Sequence, residues 1–132
     1  VIFVDASALV AIIASEPDGM RLAEIVKDEI RIACSAVSIW ETMSALSHSY
    51  KFLVPTARAT VDNYVRGLRF EYVPIGEREA EIAAEAYATY GKGRHPAALN
   101  MGDCFAYACA RANNAKLLFK GDDFAKTDIA AA

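Results

Sequence analysis

The chain has 132 residues, 55% of them hydrophobic and 23% charged, with a formal net charge of −3. That length and balance suit one domain, residues 1–132, with a core of its own, and they exclude a disordered chain. They also exclude the broad basic footprint of a general nucleic-acid binder, and the longest uncharged apolar run, Ala6–Ala14, is far short of the roughly 20 residues of a membrane span.

Val1–Val4 is apolar throughout, β-branched or aromatic at every position, and reads as a strand buried on both faces of a parallel sheet. It runs straight into Asp5, behind which Ala6–Ala14 reads as an almost wholly apolar helix, buried or part of an interface. Ser15–Gly19 is turn chemistry. A second helix follows, with Leu22, Ile25 and Val26 on one face. Ile30–Cys34 is a short strand, and Ser35 or Ser38 caps a third helix reaching about Tyr50. Pro55-Thr56 opens a fourth helix with Val61, Tyr64, Val65 and Leu68 inward. Phe70–Val73 alternates as a strand and stops at Pro74. Glu77–Tyr90 is a helix, Gly91–Pro96 a loop that concentrates positive charge, and Gly102–Asn113 a last helix. Leu117–Phe119 is a final buried strand leading into Lys120-Gly121-Asp122-Asp123-Phe124. Strands and helices alternate, so the predicted fold is three-layer α/β/α with a mainly parallel central sheet.

Cys34, Cys104 and Cys109 are odd in number and lack Cys-x-x-Cys spacing, which argues against a disulfide framework or a zinc site. They read as buried thiols in a reducing cytoplasm. Val1 stands where a Met is expected, as after trimming or a non-Met start, and Asp5 would interrupt the apolar core of an export signal.

Acids gather where strands end. Asp5 follows the first strand, Glu41 lies on the helix after the second, and Asp122 and Asp123 follow the last; Asp103 opens the helix after the basic loop. In an open parallel sheet these positions converge on one crevice at the carboxyl edge. Carboxylates gathered without basic partners repel one another unless a cation neutralises them, and oxygen-only ligands suit Mg²⁺ or Mn²⁺. Each acid also has an ordinary reading. Asp5 is placed to cap the first helix. Ser38-Ile-Trp-Glu41 has the pattern of a capping box. Asp103 falls in a first turn, where the helix dipole favours an anion. Asp122 and Asp123 are turn residues after Gly121.

Val-Asp-Ala-Ser-Ala-Leu at the start, Trp-Glu-Thr around residue 41, Leu-Asn-Met-Gly-Asp-Cys-Phe-Ala-Tyr-Ala at 99–108 and Leu-Leu-Phe-Lys-Gly-Asp-Asp-Phe at 117–124 come in one order over essentially the whole chain. In these motifs the chain resembles the PIN-domain proteins, and among them the VapC-type toxin ribonucleases of bacterial toxin–antitoxin pairs. The resemblance implies a PIN-like fold and a Mg²⁺- or Mn²⁺-dependent endoribonuclease. Its acidic quartet would be Asp5, Glu41, Asp103 and one of Asp122 and Asp123, with Asp123 preferred. Asp5 and Asp103 would be direct metal ligands, Glu41 and the Asp122/Asp123 pair would complete the shell or hold its water, and Ser7 would supply a hydroxyl bonding within the site. It also implies a homodimer and a cognate VapB-like antitoxin, whose arginine could enter the acidic crevice and compete with the metal.

RNA needs cationic contacts, and Lys92, Arg94 and His95 in the basic loop are the candidates for its phosphates, with Lys120 next. Tyr107 and Phe124 could stack on bases, although core packing explains them as well. No Ser-His-Asp or Cys-His arrangement competes for the chemistry. A phosphoaspartyl enzyme of the haloacid dehalogenase kind would need a second Asp two residues after the first, where this chain has Ser7. The remaining alternative is a PIN-like module that binds RNA or a protein without cleavage, and an intact acidic quartet argues against it.

Overall fold

The apolar opening of the chain is the strand its composition predicts, except that Val1 is exposed and lies outside it. In the computed structural model, which describes residues 1–132, β1 (Ile2–Val4) is buried at every position. It lies inside a four-stranded sheet, flanked by β2 (Ile32–Cys34) and β4 (Lys116–Leu118), with β3 (Glu71–Tyr72) at the edge beyond β2. All pairings are parallel, with Ile2 opposite Ile32 and Lys116, and Phe3 opposite Ala33 and Leu117. Six helices complete the chain: α1 (Ala6–Ile13), α2 (Gly19–Asp28), α3 (Ala36–Tyr50), α4 (Val54–Gly67), α5 (Glu77–Tyr90) and α6 (Met101–Ala112).

Side chains of a strand alternate between faces, and that alternation sorts the core. Phe3, Ala33 and Leu117 point to one side and pack with α5 and α6 residues such as Ala83, Ala86, Cys104 and Ala108. Ile2, Val4, Ile32 and Leu118 point to the other and meet Leu9 and Ala11 of α1 and Leu22 and Val26 of α2. The sheet is therefore the middle of three layers, and α1 spends its apolar surface on this core. A third cluster, Leu46, Ala57, Val61 and Val65, joins α3 to α4. All three cysteines are free and buried, and no helix is long and apolar enough to cross a membrane.

The elements differ from the sequence reading at their ends. β3 is only two residues long and exposed, as an edge strand can be, and Phe70 instead packs edge-on against Tyr64 of α4 at 6.0 Å. Phe119 leaves the β4 ladder and packs on Phe124 at 5.3 Å, within a short 3-10 turn, Phe124–Lys126. Beyond that turn the tail returns to the outer edge of β4, where Ala131 bridges Leu117. Tyr107 Oη donates to Asp128 at 2.6 Å, and Arg111 pairs with the same carboxylate.

Because every strand runs the same way, every strand ends on the same edge. β2 and β3 extend the sheet to one side of β1 and β4 to the other, so the order reverses between β1 and β4. The carboxyl end of that junction is where an open α/β sheet has its crevice, and Asp5 stands there.

Candidate active site

Asp5 leaves β1 with its backbone N–H donating to Leu118 O at 2.9 Å, which keeps it in the sheet for one more residue. Its side chain is 4% exposed and caps α1. Oδ2 accepts from Ser7 N at 3.0 Å and from Ser7 Oγ at 2.6 Å. Burial pushes the Asp5 carboxyl above its ordinary range, while the Ser7 and Ala6 hydrogen bonds pull against that rise. The Ser7 hydroxyl in turn accepts from Lys120 N at 3.0 Å, so one side chain links Asp5 to the loop after β4.

Glu41 has no capping role. The box at the start of α3 is formed by Ser35 and Ser38: Ser38 N donates to Ser35 Oγ at 3.2 Å and Ser35 N to Ser38 Oγ at 2.9 Å. This corrects the Ser38–Glu41 box expected from the sequence. Strand β2 ends at Cys34, so Ser35 is the first extended residue able to cap, and Glu41 falls beyond the first turn. No protein donor bonds its carboxylate. It lies instead against Gly102, where a β-carbon would meet Glu41 Oε2 at 1.9 Å. Burial, and then the charges of Asp5 and Asp103, push Glu41 up to about 7.

Asp103 sits in the first turn of α6 in a reciprocal box with the N-cap. Its N–H donates to Asn100 Oδ1 at 2.9 Å, and its Oδ2 accepts from Asn100 N at 3.0 Å. Burial pushes it up to about 6 against the pull of the Asn100 bond, and Asp5 and Asp123 add to the rise. Of the two acids after Gly121, Asp123 is the one whose charge reaches Asp103. Asp122 lines a cavity of about 360 Å³ with Asp18, Arg21 and Phe119. Both are exposed.

The cationic candidates separate. Lys92 is exposed and lines an apolar groove of about 530 Å³ with Asn100, Met101 and Tyr87, next to the start of α6. Arg94 lies over the Tyr87 ring at 5.3 Å. His95 is used by its own loop: Nδ1 accepts from Ala97 N at 3.0 Å and the ring packs edge-on to Tyr90. Lys120 forms an ion pair with Glu16, and Tyr107 and Phe124 are buried, as core residues would be. A cavity of about 500 Å³ between α5 and α6, with Arg78, Tyr107, Arg111 and Asp128, includes none of Asp5, Glu41, Asp103, Asp122 and Asp123.

None of Asp5, Glu41, Asp103 and Asp123 takes part in an ion pair. The set is anionic, all oxygen and without a basic partner, which is the chemistry a hard divalent cation satisfies. As the side chains stand, no three acid, histidine or cysteine side chains converge on one ligand position. Asp5 is turned onto Ser7 and Asp103 onto Asn100, each through Oδ2. Two positions that matter here were not singled out from the sequence, Gly102 and Glu16. The first left a trace: a glycine in the first turn of a helix is a poor helix former and stands there for space.

Residues 2–130 match the family model of the PIN domain, and the chain belongs to that family. Ribonuclease VapC30 of Mycobacterium tuberculosis is 44% identical over 128 residues, covering 96% of this chain and 95% of that protein. Ribonuclease VapC of Mycolicibacterium smegmatis is 41% identical over 128 residues and covers 97% of both. Within the PIN family, then, the chain is one of the VapC ribonucleases. Among solved structures, the sarcin–ricin loop cleaving toxin VapC20 of M. tuberculosis has the same fold, with a TM-score of 0.80 at 16% identity over 100% of this chain and 98% of that one. VapBC2 of Rickettsia felis, bound to a DNA fragment from its promoter, superimposes with a TM-score of 0.74 at 17% identity over 99% and 96% of the two chains.

Proposed function

We propose that this chain is the toxin of a VapBC-like pair, a cytoplasmic Mg²⁺- or Mn²⁺-dependent endoribonuclease that cuts cellular RNA of the tRNA or rRNA class and so restrains translation. The observation that carries the reading is the cluster of Asp5, Glu41, Asp103 and Asp123 at the switch point of the sheet, mutually repelling and without one basic partner. Its support comes also from VapC30, a ribonuclease by name, and VapC20, a toxin that cleaves the sarcin–ricin loop.

Asp5 and Asp103 are the residues to hold the cation, through the carboxylate oxygens they do not spend on backbone donors. A bound divalent cation supplies a water of lowered pKa and relieves the negative charge that builds on the phosphate. Glu41 and Asp123 would orient the attacking water by accepting its hydrogen bonds. Attack by water leaves a 5′-phosphate and a 3′-hydroxyl. Ser7 fixes the Asp5 carboxylate, and Lys92 and Arg94 lie where the RNA backbone would approach the start of α6.

A partner copy and an antitoxin fit the exposed apolar residues. Tyr87 and Met101, 44% and 66% exposed, edge the groove between α5 and α6 and suit a homodimer, while Trp40, 62% exposed and next to Glu41, suits an antitoxin segment laid over the crevice. The deciding experiment incubates the purified protein with total cellular RNA in Mg²⁺ or Mn²⁺. Discrete fragments with 5′-phosphates are expected, lost with EDTA and in Asp103→Asn. Intact RNA under all conditions would favour a module that binds RNA without cutting it.

A further inference from the structure

We infer that Glu16, in the turn between α1 and α2, is a positioning residue for the acidic site. Through Lys120 it holds the loop that carries Asp123, and through Tyr50 the far end of the helix that carries Glu41. The inference rests on the reading of the acids as the reactive centre.

The four acids are not held alike. Asp5 caps a helix, Glu41 lies within α3, and Asp103 is locked in a capping box. Asp123 lies on an irregular, exposed stretch that passes through Gly121 at φ +97°. Such a stretch has little backbone pairing to fix it, so its position depends on side-chain anchors. Phe119 and Phe124 pin its two ends by packing on each other. Between them Lys120 is fixed twice: its N–H donates to Ser7 Oγ at 3.0 Å, and its ammonium donates to Glu16 Oε1 at 2.5 Å.

Glu16 does more than neutralise that lysine. Its other carboxylate oxygen accepts from the hydroxyl of Tyr50, the last residue of α3. One carboxylate thus joins the end of α1, the end of α3 and the loop after β4, elements that carry or flank Asp5, Glu41 and Asp123. The ion pair is sheltered, with the Lys120 and Glu16 side chains 35% and 18% exposed, so it loses less to solvent than a pair on the open surface. Lys120 is accordingly committed to the protein rather than free for a phosphate.

Amide hydrogen exchange over residues 119–124 reads the clamp directly and needs no cleavage. Glu16→Ala and Lys120→Met are expected to raise exchange there by about tenfold or more while β1 and α6 stay protected; Lys120→Arg, which keeps the pair, restores protection. On a short RNA with Mn²⁺, both disruptive variants should lower kcat by about tenfold, since a small displacement of a reacting group is costly, with KM within about twofold. Adding Glu16→Ala to Asp123→Asn should lower kcat no further, because the positioned group is already gone. Unchanged exchange in Glu16→Ala overturns the inference, and so does a loss that adds in full to that of Asp123→Asn. A wild-type protein that cuts no RNA would count against the ribonuclease reading, with the exchange result still deciding the clamp.

Discussion

Consider replacing Gly102 with alanine. The added β-carbon would stand 1.9 Å from Glu41 Oε2, 2.4 Å from its Cδ and 2.5 Å from Oε1. Ordinary contact begins near 3.4 Å, so the carboxylate must retreat by about 1.5 Å. The clashing atoms end a flexible side chain, and rotating it costs about 1 kcal/mol. Alanine returns about 0.5–1 kcal/mol over glycine inside a helix. The two nearly cancel, and the melting temperature of Gly102→Ala should stay within about 3 °C of the parent protein.

Activity should not survive so well. A reacting group misplaced by about 1 Å costs on the order of 10²-fold in rate. Single-turnover cleavage of a defined RNA in Mg²⁺, run beside thermal denaturation of the same preparations, measures both quantities. Glu41→Asp draws the carboxylate back by one methylene, so adding it to Gly102→Ala should cost far less than the product of the two single losses. Cleavage by Gly102→Ala within about threefold of the parent would refute the reasoning, because Glu41 would then not need the place that the glycine leaves open.

Three further outcomes follow from the same geometry. Glu41→Gln removes a charge crowded by Asp5 and Asp103, and should raise the melting temperature in EDTA by about 3 °C, roughly 1 kcal/mol, while abolishing most cleavage. Asp128 is held below its ordinary range by the Tyr107 hydroxyl first, with Arg111 adding to it. A lowered acid contributes stability above its unfolded pKa and loses it as pH falls through the folded one, so Asp128→Asn should cost up to about 1 kcal/mol at pH 7 after screening of this half-exposed group, and progressively less as pH falls below about 4. Trp40 is the only tryptophan and is 62% exposed; its emission should shift to shorter wavelength when a cognate antitoxin binds, and an unchanged spectrum in a formed complex would put the antitoxin elsewhere.

What was legible in the sequence was local. Val1–Val4 running into Asp5 announces a buried strand and a helix start, and Asn100-Met-Gly-Asp103 announces a first turn, because both signals lie within a few residues of each other. Of the two serines able to cap α3, Ser35 takes the role and the expected Ser38–Glu41 box does not form, because the choice depends on where β2 stops. That is set by strand pairing, in which Ile32 and Ala33 face Ile2 and Phe3 and Cys34 faces Tyr72, not by the serines. Gly102 and Glu41, or Glu16 and Lys120, are far apart in the chain, and no local pattern connects them. The sequence leaves Asp122 and Asp123 open with a lean to Asp123, because a loop without periodicity does not say which of two adjacent side chains faces the site.

The ordinary readings of Asp5 and Asp103 and their reactive readings are compatible, and this decides how the site must be probed. Each carboxylate gives one oxygen to backbone donors at a helix start, Asp5 to Ser7 N and Asp103 to Asn100 N. Asparagine at 103 keeps a side-chain oxygen to accept from Asn100 N, whereas alanine leaves that donor unpaired at a cost of about 1 kcal/mol. Asp103→Asn therefore keeps the fold of α6 and relieves repulsion from Asp5 and Asp123, and should melt at or above the parent temperature in EDTA. Asp103→Ala relieves the same repulsion but loses the bond to Asn100, and should melt about 3 °C below Asp103→Asn. Both should fail to cleave RNA. If Asp103→Asn were instead the less stable variant, the carboxylate charge would be helping the fold, and the crowding argued for this site would be wrong.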